Sequence, residues 1–114
     1  MTPDEYVEEV LSLVERIPSG RVMSYGAIAE YLAEASGRSS ARLVGTIMAK
    51  HGGSVPWHRV VANNGRLVPH HEVEARARLI AEGVSFDGPR VSMSRYAWWP
   101  DAPPLRPDRG DTRD

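Results

Sequence analysis

Apolar residues recur at helical spacing from the first turn of the chain. Tyr6, Val7, Val10, Leu11, Val14 and Ile17 share one face of a helix. Thr2-Pro3-Asp4-Glu5 before them reads as a capping box with proline at the first helical position, and Pro18-Ser19-Gly20 ends the helix. An extended piece, Arg21-Val22-Met23, leads to Ser24, an N-cap for a second helix running to about Ala33 with Ile28, Ala29 and Leu32 on its buried stripe. Glu34 to Arg38 reads as a turn around Gly37. Ser39 or Ser40 caps a third helix to about Lys50, with Leu43, Val44, Ile47 and Met48 inward. Two helices joined by a short glycine-containing turn are a helix-turn-helix candidate.

The second half carries shorter elements. His51-Gly52-Gly53-Ser54 reads as a flexible connector. Val60-Val61 and Leu67-Val68 flank Asn63-Asn64-Gly65-Arg66, and Asn-Gly between apolar pairs predicts a small β-ribbon, or wing. A fourth helix is expected over about Glu72 to Glu82, with Val73, Ala77 and Ile80 inward and Gly83 as stop. Glu72–Arg76 and Glu74–Arg78 make i,i+4 pairs on its outer face. Phe86 to Pro100 is an aromatic segment ending Tyr96-Ala97-Trp98-Trp99-Pro100. The fold class is therefore mainly α with a small β-hairpin wing, a winged helix-turn-helix. Residues 1–100 form one domain, and residues 101–114, with three prolines and seven charges, form a disordered tail.

The 114 residues include no cysteine, which excludes disulfides and thiolate metal sites and suits a cytoplasmic protein. The N-terminus lacks a basic-then-apolar leader, and no apolar run is long enough to span a membrane. Net charge is −1, yet the charge is unevenly spread. From Ala35 to His71 there is no Asp or Glu, while Arg38, Arg42, Lys50, Arg59, Arg66 and all four histidines lie there. The first fifteen residues hold five acids and no base. A cationic stretch on a near-neutral chain is the footprint of an anion-binding surface.

The third helix sharpens that reading. Its outward face is Ala41, Arg42, Gly45, Thr46 and Ala49, very small residues around one arginine. A helix that reads base edges in the major groove needs long polar side chains, which this one lacks. Small residues suit close approach to a minor groove, with Arg42 as the one probing group, so sequence-tolerant DNA binding is expected. The same face could instead pack against another helix.

Five motifs stand in register with a known family. Ile17-Pro18-Ser19-Gly20-Arg21-Val22, Ser24-Tyr25-Gly26 with Ile28-Ala29, Ala41-Arg42-Leu43-Val44-Gly45, Pro56-Trp57-His58-Arg59-Val60-Val61 and Glu82-Gly83 together resemble the O6-alkylguanine-DNA alkyltransferases. Trp57 stands where their reactive cysteine belongs. A thiolate accepts an alkyl group and an indole does not. The chain thus resembles the alkyltransferase-like branch, as does its closing Tyr96-x-Trp98-x-Pro100.

The resemblance implies a protein that binds double-stranded DNA through the minor groove, flips an O6-alkylguanine into a pocket without removing the alkyl group, and hands the site to nucleotide-excision repair proteins. The DNA-facing residues would be Tyr25, Ser40, Ala41, Arg42, Gly45 and Thr46. Tyr25 rotates the nucleotide, and Arg42 fills the vacated stack. The base pocket would be Tyr25, Pro56, Trp57, Val60 and His70, the last near a basic residue of several relatives. His58 and Glu82, a proton relay in catalytic relatives, become structural. Extrusion costs a few kcal/mol, less for a base whose pairing an alkyl group has weakened. Salt should weaken the binding. No cofactor is implied, and a monomer is expected.

Other readings compete with these. Trp57 could be plain core and Tyr25 a simple helix cap. The four histidines match no zinc spacing, and Ser54 near His58 lacks a nucleophile elbow. Two functions from other classes remain: a non-enzymatic winged-helix transcription regulator of undamaged DNA, and a repair enzyme acting through some other residue.

Overall fold

The computed structural model describes residues 2–37 and 40–100, apart from the side chains of residues 34–36. The proposed tail, 101–114, and the cap candidate Ser39 lie outside the described residues. Helix α1 spans Pro3–Arg16. Its capping box forms in both directions: the Glu5 N–H donates to Thr2 Oγ1 (3.1 Å) and the Thr2 N–H to Glu5 Oε1 (2.8 Å). Tyr6, Val10, Leu13 and Val14 are its buried face. The chain then enters β1 (Met23–Ser24) and α2 (Tyr25–Ser36), where Ser24 Oγ accepts from the Ala27 N–H (3.0 Å). Ser40 caps α3 (Ala41–His51) through the Leu43 N–H (3.1 Å).

Helix α2 runs three residues beyond the expected Ala33. Its end is set by Gly37, which adopts φ 74° and donates its N–H to Ala33 O. The helix-turn-helix is thus α2 and α3, packed across α1. One core lies between these three helices and includes Val10, Ile17, Ile28, Val44, Ile47 and Val60. A second contains Val22, Val61, Leu67, Leu79, Val84 and Val91. Trp57 packs against both.

Three expectations need correction. The connector after α3 is an ordered 3₁₀ turn over Gly52–Ser54, with Gly52 buried against Met48. The ribbon around Asn63–Gly65 shrinks to a turn. Gly65 donates to Ala62 O and Ala62 to Arg66 O (both 2.9 Å), but the arms do not zip further. Val60 and Val61 are both buried, so β2 (Val60–Val61) is used on two faces and pairs in parallel with β1 (Met23↔Val60, Ser24↔Val61). Leu67 turns into the second core, and Pro69 has no N–H to extend a ladder. The antiparallel hairpin lies later, as β3 (Phe86–Asp87) and β4 (Arg90–Val91), and an isolated bridge joins Arg66 to Arg90.

The third correction concerns α4 (Glu72–Ala81). Its buried residues are Ala75 and Leu79, whereas Val73 is 86% and Ile80 52% exposed. At about 100° per residue, Val73, Ala77 and Ile80 make one apolar stripe and Ala75 and Leu79 another, nearly opposite. Glu82 projects on the side of the second stripe and is anchored to His58 and Arg59, so that side faces inward. A Schellman end fixes it further: Val84 N–H donates to Leu79 O (3.0 Å) and Gly83, at φ 95°, to Ile80 O (2.9 Å). Of the two expected ion pairs, Glu74–Arg78 forms (2.6 Å). Arg76 turns instead to Gly88 O (2.9 Å) and the Phe86 ring (4.3 Å). A short α5 (Met93–Tyr96) returns the chain to β1, where Trp98 N–H donates to Val22 O (2.8 Å).

Candidate nucleic-acid interface

The Pro56–Val61 motif is built on a 3₁₀ turn, Trp57–Arg59, that leads into β2. Its two basic residues point one way, toward Glu82. His58 Nε2 lies 2.8 Å from Glu82 Oε2, and because a carboxylate only accepts, this nitrogen carries the proton. Arg59 donates through Nη2 to the same oxygen (2.7 Å), through Nε to both oxygens (3.1 and 3.2 Å) and through Nη1 to Ile17 O (2.9 Å). The Gly20 N–H adds a further bond to Glu82 Oε1 (2.9 Å). Burial by itself would raise the Glu82 carboxyl, but Arg59, Gly20 and His58 outweigh it and lower it to about 2. His58 Nδ1 is buried without a hydrogen-bond partner among the described residues.

Trp57 faces the other way, into a cleft of about 680 Å³. Tyr25, Gly45, Met48, Val60, Pro69 and His70 contribute to its walls. The indole is boxed in by the His71 ring (centroids 5.7 Å) and the Arg78 guanidinium (5.4 Å), which Glu74 holds by bonds of 3.0 and 2.6 Å. His70 has φ 71°, a left-handed conformation that costs a non-glycine residue about 1 kcal/mol or more and that concentrates at ligand sites. Beside Val68 and Glu74, part of the wall is made of the smallest side chains available: Gly45, Ala49, Gly52 and Gly53.

Tyr25, the first residue of α2, stands where this cleft meets a shallower groove of about 460 Å³. Arg42, Ala41, Gly45, Asn63 and Asn64 line that groove. Tyr25 is half-buried, and the burial pushes its phenol up, so the hydroxyl stays a neutral donor. Arg42 is exposed and its guanidinium has no partner among the described residues. The turn is fastened to α2 by Asn63 Oδ1, which accepts the Gly26 N–H (3.1 Å); a side chain at 26 would collide with that amide. A cation therefore stands free over a groove that opens, past Tyr25, into an aromatic-walled cleft.

The model of the 6-O-methylguanine DNA methyltransferase DNA-binding domain matches residues 5–84. The chain belongs to that family. Alkyltransferase-like protein 1 of Schizosaccharomyces pombe is 35% identical over 112 residues, covering 88% of this chain and all of the relative. The DNA base-flipping protein of Escherichia coli K12 is 34% identical over 100 residues, covering 83% of this chain and 75% of the relative. The crystal structure of S. pombe Atl1 in complex with damaged DNA containing O6-carboxymethylguanine matches with TM-score 0.72 at 34% identity, over 88% of this chain and 100% of Atl1. Within the family this chain has no cysteine, and tryptophan fills the position of the alkyl acceptor, so the thiolate that takes up an alkyl group is missing there.

Most of the expected family site is brought together. Tyr25, Trp57, Val60 and His70 line one cleft; Pro56 is half-buried and is not part of its lining. Ala41, Arg42 and Gly45 share the adjoining groove. Ser40 spends its hydroxyl on the α3 cap, and Thr46 donates its own to Arg42 O (3.1 Å). His58 and Glu82 meet behind Trp57. Sequence reasoning did not assign Met48, His71 or Glu74 to the cleft, and it placed Asn63 in the turn without its bond to Gly26. Of the three cleft residues only Met48 carried a readable signal, since it ends the inward stripe of α3. Among the described residues no three His, Asp or Glu side chains converge as a metal site, and no helix is long and apolar enough to cross a membrane.

Proposed function

We propose that this protein reads O6-alkylguanine in double-stranded DNA by flipping the base into the Trp57 cleft and holding it there unrepaired. The observation that carries the reading is the junction at Tyr25: an exposed arginine over a groove on one side, and a base-sized cleft walled by tryptophan on the other. The small outer face of α3 approaches the minor groove. Arg42 enters the stack and offsets part of the flipping cost by stacking and charge. Tyr25 guides the nucleotide past the junction. Trp57 offers its ring to the base or alkyl group, the Val60 carbonyl and His70 supply the polar edge, and Ser40, Ala41, Gly45 and Thr46 form the close-contact surface. With no thiol behind it, the pair His58–Glu82 has no proton to relay and serves to fix the Trp57–Arg59 turn. The occupied, bent site then marks the lesion for nucleotide-excision repair proteins.

The test is a titration of matched duplexes carrying guanine or O6-methylguanine, followed by tryptophan fluorescence, with mass spectrometry of both partners afterwards. The expected result is tighter binding and Trp57 quenching on the lesion duplex, with neither protein nor base altered in mass. Equal affinity for the two duplexes would favour a regulator of undamaged DNA. A methylated protein or a repaired base would make it an enzyme. Incision of the lesion duplex by excision-repair proteins, with and without this protein, tests the hand-over.

A further inference from the structure

A third cleft, about 560 Å³, lies on the far side of Tyr25 from the Trp57 cleft. Its floor is apolar, from Leu67, Pro69, Val73 and Pro89, and its rim carries Arg66, Arg76 and one acid, Glu72. Val73 is 86% exposed there, a branched apolar side chain left in water. Beside the rim, Arg66 pairs across an antiparallel bridge with Arg90. Residues directly opposite on neighbouring strands project to the same side with Cβ atoms about 5 Å apart, and like charges so placed repel. Neither guanidinium has an ion-pair or hydrogen-bond partner among the described residues; Glu72 on the cleft wall and Asp87 opposite Arg90 in the β3–β4 hairpin do not reach them. Arg76 is fixed between Gly88 O (2.9 Å) and the Phe86 ring (4.3 Å), with donors to spare. Three cations thus stand around a cleft with nothing to neutralise the closest pair.

We propose that this cleft holds a phosphodiester segment of the lesion-bearing strand next to the flipped nucleotide, with Arg66, Arg90 and Arg76 on its phosphates and Val73 under its sugar. The inference rests on the DNA reading above. Nucleic acid is favoured over an acidic protein by continuity: Tyr25 lines this cleft and the Trp57 cleft, and Ala62 lines this cleft and the Arg42 groove. A strand whose nucleotide has turned out at Tyr25 therefore runs over the Ala62–Arg66 turn and meets Arg66 first. A bridging phosphate converts the Arg66–Arg90 repulsion into two charge-assisted hydrogen bonds. The β3–β4 hairpin, which seats Arg90 and fixes Arg76, then acts as a second arm on the DNA, separate from the helix-turn-helix.

The test measures affinity for the O6-methylguanine duplex against salt for the wild type, Arg66→Gln, Arg90→Gln and the double variant, with Arg16→Gln on the last turn of α1 as control. Each phosphate deprived of its arginine should make the slope of log K against log salt shallower by about 0.9. Because one phosphate bridges Arg66 and Arg90, the double variant is expected to lose about one such step while keeping its preference for the lesion over guanine; Arg16→Gln should keep the wild-type slope. A wild-type slope in the double variant overturns the proposal and leaves the flipping reading standing. Failure of the wild type to bind the lesion duplex overturns both. Single methylphosphonate linkages placed stepwise from the lesion, read with the wild-type protein, guard against misfolded variants. A neutral linkage flanking the lesion should weaken the wild type and leave the double variant unaffected. Uniform tolerance of every such linkage counts against the arm.

Discussion

At the scale of single residues, the proposed reading turns on positions 57 and 42. Trp57 keeps the place of a nucleophile while offering only a π-face and bulk, boxed by His71 and Arg78. Arg42 projects from a face otherwise built of alanine, glycine and threonine, and no neighbour among the described residues holds its guanidinium. On the proposed reading its removal therefore subtracts an interaction with DNA, and little from the fold. Arg42→Ala is expected to weaken binding to an O6-methylguanine duplex by about 10- to 100-fold, roughly 1–3 kcal/mol. Its thermal unfolding should match the parent within about 0.5 kcal/mol. Anisotropy titration and a melting curve check the two halves; an equal loss in both would make Arg42 a packing residue. These two positions were legible because their chemistry is local: a missing thiol and a lone cation are visible in one dimension. His71 and Glu74 were not, because only the docking of α4 beside Trp57 brings them to the cleft.

At the scale of elements, the caps and the helical periods of α1 to α3 were readable, since each depends on neighbours three or four residues away. Helix α4 was not, because it carries two apolar stripes and its own sequence does not choose between them. The choice is made by Glu82, whose partners lie 23 and 62 residues upstream at Arg59 and Gly20. Leu79→Ala, at the buried stripe, should cost about 2–4 kcal/mol. Ile80→Ala, half-exposed on the other stripe, should cost under about 1 kcal/mol by urea unfolding. A reversed order would mean that α4 faces the other way. The expected ribbon failed for a related reason: β2 is claimed by β1, a strand 37 residues earlier. Its turn survives because Gly65, at φ 87°, packs directly on the Val91 backbone and donates its N–H to Ala62. Gly65→Ala adds a steric collision with Val91 O to the left-handed strain and should cost about 2–3 kcal/mol. Gly37→Ala, with open space around it, should cost about 1 kcal/mol. Paired melts of the two variants separate strain alone from strain plus collision.

At the scale of the whole molecule, one carboxylate closes the structure. Glu82 joins the end of α4 to the Trp57–Arg59 turn and to the linker after α1 through Gly20, while Arg59 reaches Ile17. The two cores meet at Trp57, so the cleft keeps its shape only while this junction holds. The junction is made with ionised Glu82, whose carboxyl is lowered from 4.5 to about 2 in the folded state. Because the folded value lies below the unfolded one, the unfolded chain binds the proton more readily. The stabilisation is therefore complete above pH 4.5 and drains away as pH falls from 4.5 toward 2. Allowing for partial exposure, about 2–3 kcal/mol is at stake. Glu82→Gln removes the charge but keeps the shape, so the variant should be less stable than the parent by about that amount at pH 7 and should converge on it near pH 2. Urea unfolding at pH 7, 4 and 2.5 reads the convergence directly. Stability curves that stay parallel down to pH 2.5 would show that the charge on Glu82 is not what ties the two cores together.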